Sequence, residues 1–599
     1  MAERNELTTT PRTIAALAAA LALISTSAPS LASPLPWQAA RQRAAEGRPP
    51  QQLNGLEPGG GGSAAVGGGA QFTPLDLPAG AFGPADAGRT HKLDTELEAL
   101  AQAHAQRGAA AAALYAHRHG IAWNAGAVLV RLDAGLPLRG VRLRDASSRA
   151  IVDQALAELA PLGVRVRNVI GPHIEAWVAV ERLAALEAIP SLRAVRMPWK
   201  MRAHVTSEGR AAIGADRWDD VKFRSPIDGL KVGVIDLGFE GFEALKGREL
   251  PGDGMIFTRS FRDDGDIEAD DDHGTAVAEI VYDVEPEAWQ YLAAVETVGD
   301  ISEAVDYMLQ NGVDVINMSL GCVGCGPGNG NGAVVEVVEK APQAGVPFVT
   351  SAGNEANRHW IGSFVDADGD GFHEFAPGDE SNAFAADAGD EVFITMNWDF
   401  PNWFASSQDF DLLLLDSLGN IVDQSRFRQA GFAGQEATEE IAITLPFSDT
   451  FQIVIQRIQA SLPETVEIYV EIDGLQYVVA DRSLSLPADG REVFAVGAAH
   501  WASGLPETFS SRGPTKDGRL KPDMAAPDGV STASFGPMSF FGTSAASPHV
   551  VGAVALLRGR LGLLSGADAF SVLVPRLIDV PPVGPDNITG RGRLSLILP

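Results

Sequence analysis

The 599-residue chain is poor in cysteine, poor in basic charge and short of long apolar runs. Its two cysteines, Cys322 and Cys325, form one Cys-x-x-Cys in "SLGCVGCGPGNG". A single motif of this kind is no disulfide scaffold and is expected to close as one short-range disulfide. A redox motif or half a metal site stays open as an alternative, though no second ligand pair follows. Lys and Arg number 46 against 77 Asp and Glu, a formal charge of −31. That balance argues against a nucleic-acid or anionic-membrane partner and fits a soluble acidic protein. No later apolar run reaches the roughly 20 residues that a bilayer span requires, so no membrane anchor is expected.

What the chain does contain is ordered in blocks. Residues 1–32 have the layout of a signal peptide: Arg4 and Arg12, the apolar "IAALAAALALI", and "SLA" ending at Ala32. A secreted or periplasmic location follows. Residues 33–90, with "EPGGGGSAAVGGGA" at their centre, read as a Gly/Pro/Ala-rich linker. Residues 91–118 read as an Ala-rich helix, and 126–199 as βαββαβ, a small ferredoxin-like module, so 91–200 forms one unit.

From 201 the pattern changes to apolar strands alternating with amphipathic helices, such as "KVGVIDLG", "DISEAVDYMLQNG" and "VPFVTSAGN". That alternation predicts an α/β fold, a parallel sheet with helices on both faces. The pattern spans 201–362, stops, and resumes over 490–599. Between them, 363–489 holds short strands such as "FDLLLLDSLGNIVDQS" and "TFQIVIQRI" with no helical period, which predicts a β-sandwich insertion.

Functional groups collect at the carboxyl ends of strands in such sheets. Here those ends and the helix starts beside them carry Asp236, His273, Asn354 and Ser544. A serine hydroxyl needs a base to take its proton. A histidine serves, provided a carboxylate fixes its tautomer. The tetrahedral oxyanion needs preorganised donors, which a helix N-terminus and an Asn amide supply. Pro548, four residues after Ser544, removes the N–H that would have bonded the Ser544 carbonyl, at a helix start where the loss is small.

Taken together, "VGVIDLG", "HGTAVAE", "SAGNE" and "GTSAASPHVVG", in that order, resemble the Asp, His, Asn and Ser boxes of the subtilases, the subtilisin-like serine proteases. "NMSLG" and "FSSRGPTKDGRLKPDMAAPDGV" resemble further family segments. The resemblance covers about 201–362 and 490–599. It implies a subtilisin-like fold and an endopeptidase in which Asp236 orients His273, His273 is base and acid, and Ser544 is the nucleophile. It also implies Asn354 and Ser544 as the oxyanion hole, and Ser319, Leu320 and Gly321 along the substrate cleft. Polypeptides are then the substrates, no cofactor serves catalysis, and the βαββαβ module stands where the family carries an inhibitory prodomain. Cleavage between the two is expected within "RAHVTSEGRAAIG", 202–214. Departures are Leu237 in place of the usual hydroxyl residue, Ala276 and Glu279 in the His box, and Ala545 after the nucleophile.

Asp366, Asp368, Asp370 and Gly371 match the first half of an EF-hand loop, with Glu374 at its ninth position and Pro377 where the bidentate Glu would stand. A structural calcium ion and an ion-free acidic turn both remain open. The alternative to a secreted endopeptidase is a secreted binding protein on an inactive scaffold of the same fold, using the insertion to hold a partner.

Overall fold

The computed structural model describes residues 92–118, 121–124, 126–135, 146–198, 202–203, 209–221, 229–269, 271–399, 402–461, 464–562 and 565–597. The signal-peptide and linker expectations, 1–32 and 33–90, lie outside the described residues.

The largest sheet has seven strands: β1 (Leu230–Asp236), β2 (Ile256–Ser260), β3 (Ala288–Ala294), β4 (Val315–Met318), β5 (Phe348–Ser351), β6 (Phe494–His500) and β7 (Met524–Asp528). Their spatial order is β7-β6-β5-β4-β1-β3-β2, and every pairing is parallel. Side chains alternate between faces, so each strand feeds two cores. Val232 and Val234 of β1 join the core formed with α1 (His273–Val284) and α3 (Thr543–Leu561). Ile235 joins the opposite core, with α2 (Val298–Gln310). A strand covered on both sides must be apolar throughout, which is why β1 reads as an unbroken apolar run. Strand order reverses beside β1, and the crevice outside the strand ends at such a reversal is where α/β sheets bind ligands.

Residues 127–196 form an antiparallel sheet in which Ala127–Ala134 lies between Leu192–Arg196 and His173–Ala179, with Arg165–Ile170 at the edge. The second helix of the expected βαββαβ pattern is a single turn, Leu183–Leu186. Pro190 disfavours helical backbone at the residue before it and shortens the run. The helix expected over 91–118 is two, Thr95–Arg107 and Ala109–Arg118, parted at Gly108 with φ +81°.

Between β5 and β6 lie two four-stranded antiparallel sheets that share one core around Trp398, Phe410, Phe451 and Ile453. Their first strand is His359–Ser363, earlier than the expected start at 363, because it pairs residue for residue with Thr465–Val470. The last of their strands in sequence ends at Val470.

Candidate active site

Asp236 closes β1 and His273 opens α1. Gly274 brings them together: a Cβ there would stand 2.4 Å from the Gly238 carbonyl oxygen and 2.7 Å from Asp236 Cβ. With only hydrogen at that point, His273 Nδ1 lies 2.8 Å from Asp236 Oδ1, both side chains buried. Asp271 Oδ1 accepts the His273 main-chain N–H at 2.9 Å and sets the helix start. A carboxylate facing Nδ1 calls for the proton there, leaving Nε2 as the basic nitrogen. Asp236 Oδ1 also accepts the Leu237 N–H at 2.9 Å, whereas Oδ2 has no hydrogen-bond partner among the described residues. Burial pushes the Asp236 carboxyl up, and His273 pulls the other way.

Ser544 is the second residue of α3 and fully buried. Its hydroxyl donates to the Ser319 carbonyl at 3.0 Å. Pro548 leaves the Ser544 carbonyl without its donor from the next turn. The Ser319 hydroxyl donates to that carbonyl instead, at 2.6 Å across 225 residues. Asn317 Nδ2 donates to Ser319 Oγ at 2.9 Å, and Ser547 Oγ lies 2.9 Å from it. Ser319 therefore braces the helix with its side chain rather than facing a cleft. Leu320 and Gly321 pair antiparallel with Arg202 and Ala203 of the same chain.

Asn354 lies just past β5. Its Oδ1 accepts both the main-chain N–H and the hydroxyl of Thr543, each at 3.0 Å. Two donors on one side decide which way the amide faces, so Nδ2 points away from Thr543. Neither Asn354 Nδ2 nor the Ser544 N–H meets an acceptor among the described residues. The residue that locks Asn354 directly precedes Ser544, so one unused donor belongs to the start of α3 and the other to a residue bonded to it. Gly353, at φ +107°, lets the chain pass: a Cβ there would stand 2.4 Å from Ser485 Oγ.

The arrangement thus holds a hydroxyl, an imidazole oriented by a carboxylate, and two donors for a developing negative charge. Four contributors were missed in the sequence. Thr543 orients Asn354, and Asp271 starts α1. Glu279 accepts the main-chain N–H groups of Ala533 and Ser534 in the stretch leading to Ser544; its only signal is that it breaks the His-box pattern. Asp528, at the end of β7, accepts the N–H of Gly542, the residue before α3, at 3.1 Å. Its Oδ1 has no partner among the described residues, and burial, then the charge of Glu507, pushes this carboxyl up to about 8. Nothing in "APDGV" hints at that role.

Away from this site, carboxylate oxygens of Asp366, Asp368 and Asp370 lie within 4.8 Å of one another. Glu374 does not join them; its Oε1 accepts the Ala367 N–H at 3.2 Å. Cys322 and Cys325 are disulfide-bonded.

The subtilase family model matches residues 228–390 and 476–592, the stretches that build this site. In these two stretches, just under half of the chain, the sequence is that of a subtilase. It is 26% identical to the minor extracellular protease Vpr of Bacillus subtilis over 58% of its length and 47% of that protein. To subtilisin DY of Bacillus licheniformis it is 33% identical over 21% of its length and 48% of that protein. It spans about half the length of these curated relatives. The solved CspB protease of Clostridium perfringens aligns with a TM-score of 0.47 at 18% identity, over 65% of this chain and 97% of that one. Among the described residues, no single helix is long and apolar enough to cross a membrane.

Proposed function

We propose that this chain is a secreted serine endopeptidase working through Asp236, His273 and Ser544. The reading is supported by the pair of unused donors, Asn354 Nδ2 and the Ser544 N–H, at the start of α3, together with an imidazole that Asp236 orients. In the resting arrangement the Ser544 proton is directed at the Ser319 carbonyl. For reaction the hydroxyl turns to His273 Nε2, which takes the proton as Oγ attacks the peptide carbonyl. Asp236 holds the resulting imidazolium. The oxyanion is met by Asn354 Nδ2 and the Ser544 N–H, strengthened by the positive end of α3. His273 then returns its proton to the leaving amine, and water, deprotonated the same way, hydrolyses the acyl-enzyme. Ser544→Ala should fold normally and lose about 10⁶-fold in kcat on a polypeptide substrate. Unchanged hydrolysis in that variant would overturn the reading.

Residues 91–200 are then an inhibitory prodomain. Its support is the backbone pairing of Arg202 and Ala203 with Leu320 and Gly321, the edge to which an extended substrate would add as a strand. Of the expected cleavage stretch 202–214, residues 204–208 lie outside the described residues. Export through residues 1–32 completes this reading and parallels the minor extracellular protease Vpr.

For the acidic loop we propose a structural calcium ion. Three hard oxygen donors converge at Asp366, Asp368 and Asp370, as calcium prefers. Burial, then the neighbouring Asp368 and Asp366 charges, pushes the Asp370 carboxyl up, a repulsion that a cation would relieve. Arg457, 2.6 Å from Asp366, already offsets part of it.

A further inference from the structure

The N-terminal module touches two bodies. On the sheet side, Arg167 reaches Asp300 at 2.8 Å and Glu296 at 3.2 Å, at the start of α2. On the other side it meets the inserted sheets. Arg131 Nη2 donates to Glu436 Oε2 at 2.6 Å, with both side chains at most 2% exposed. Arg196 lies with its Cζ 4.2 Å from the Phe427 ring centroid and its Nε 4.0 Å from Glu436. Thr95 Oγ1 accepts the Arg426 main-chain N–H at 2.9 Å.

This second contact pairs Arg131 and Arg196 with Glu436 yet is incompletely bonded. Glu436 Oε1 and Arg196 Nε and Nη2 are buried without hydrogen-bond partners among the described residues. Arg131 is held within the module as well, by Asp133 at 3.1 Å. If the module leaves, Arg131 keeps Asp133, while Glu436 regains water. A buried pair of this kind adds little net stability but discriminates strongly between the right partner and any other. Arg131, Arg196 and Glu436 also line a cavity of about 110 Å³ that reaches Gly321 of the proposed substrate edge and the neighbouring Cys322.

We propose that the inserted β-sheets are a second docking surface for the N-terminal module, keyed to Arg131 and Arg196 through Glu436, and that this surface sets how long the module stays after the chain is cut. The inference rests on the reading of residues 91–200 as a removable inhibitor. Two surfaces act as two linked binding sites: while the first holds, the second rebinds at high effective concentration. Weakening one therefore lowers retention steeply without altering the other.

The test uses the full-length chain, wild type and Glu436→Gln, which keeps the side-chain shape and removes the charge. Each is allowed to cut itself, and release of the module is followed by gel filtration together with peptide hydrolysis by the freed core. Loss of one member of a buried charge pair should speed release by about 10²-fold, with the freed core's rate unchanged. Equal release from both overturns the proposal alone. Faster release accompanied by a slower core assigns the effect to misfolded insertion strands and also overturns it. An uncut chain with full activity overturns the proposal and the inhibitory reading together.

Discussion

Among the described residues two Asp–His pairs lie buried, one in the N-terminal module and one at the strand ends of the large sheet. Asp133 Oδ1 meets His173 Nδ1 at 2.6 Å, and Asp236 Oδ1 meets His273 Nδ1 at 2.8 Å. The contacts are nearly identical, but their surroundings are not. Burial opposes ionisation of Asp133, but Arg131 and then His173 outweigh it, and the carboxyl lies below the ordinary range. For Asp236 burial prevails and the carboxyl is pushed up, with His273 its nearest source of positive charge. Asp133 is shared between Arg131 and His173, whereas no arginine or lysine is among the charges that act on Asp236. Only stabilisation that appears during the reaction speeds it, so the emptier environment is the useful one.

The largest expected effect separates these pairs directly. His273→Gln should lower kcat by about 10⁶-fold, while His173→Gln should leave the kcat of the released core unchanged. Rates on one chromogenic peptide, measured side by side, check this. Next is Asn354→Leu, which removes one oxyanion donor and should lose roughly 10²–10³ in kcat with little change in KM. A loss confined to KM would instead give Asn354 a part in substrate binding.

Asp528 offers a third buried carboxyl, pushed up to about 8 by burial and then by the charge of Glu507. Its folded-state value exceeds the unfolded value, so its contribution to stability is complete below about pH 4 and is lost as pH rises through the folded value. Ionisation near 8 places two negative charges, Asp528 and Glu507, beneath the Gly542 turn before Ser544. Activity should decline there. Asp528→Asn, which still accepts from Gly542, should flatten that alkaline limb in a pH–rate profile. The smallest effect belongs to the acidic loop. Chelation should lower Tm by a few degrees, since an ion at a hundredfold its Kd contributes about 2.7 kcal/mol, and should leave kcat at 25 °C unchanged.

The sequence disclosed these regions unevenly. Asp236, His273, Asn354 and Ser544 stand at strand ends and helix starts, where local pattern alone marks them. Pro548 announced that the Ser544 carbonyl would lack its helical donor. It did not announce that Ser319 takes the vacancy, because that contact joins residues 225 apart. The facing of the Asn354 amide depends on Thr543, 189 residues away, and is equally invisible to local pattern. The inserted sheets begin at His359 rather than 363 because "HWIGS" shows its strand character only once Thr465–Val470 is beside it. Asp133 and His173 carry no motif at all, and their pairing arises from the register of two strands.

The most direct test is covalent. A fluorophosphonate probe reacts only with a serine whose hydroxyl is activated by a neighbouring base, and mass spectrometry locates the adduct. In chain cut between the module and the core by an added protease, the adduct should fall on Ser544, persist in His173→Gln and vanish in His273→Gln. An adduct on another residue, or equal labelling in His273→Gln, would contradict the assignment of Asp236, His273 and Ser544 as the working set.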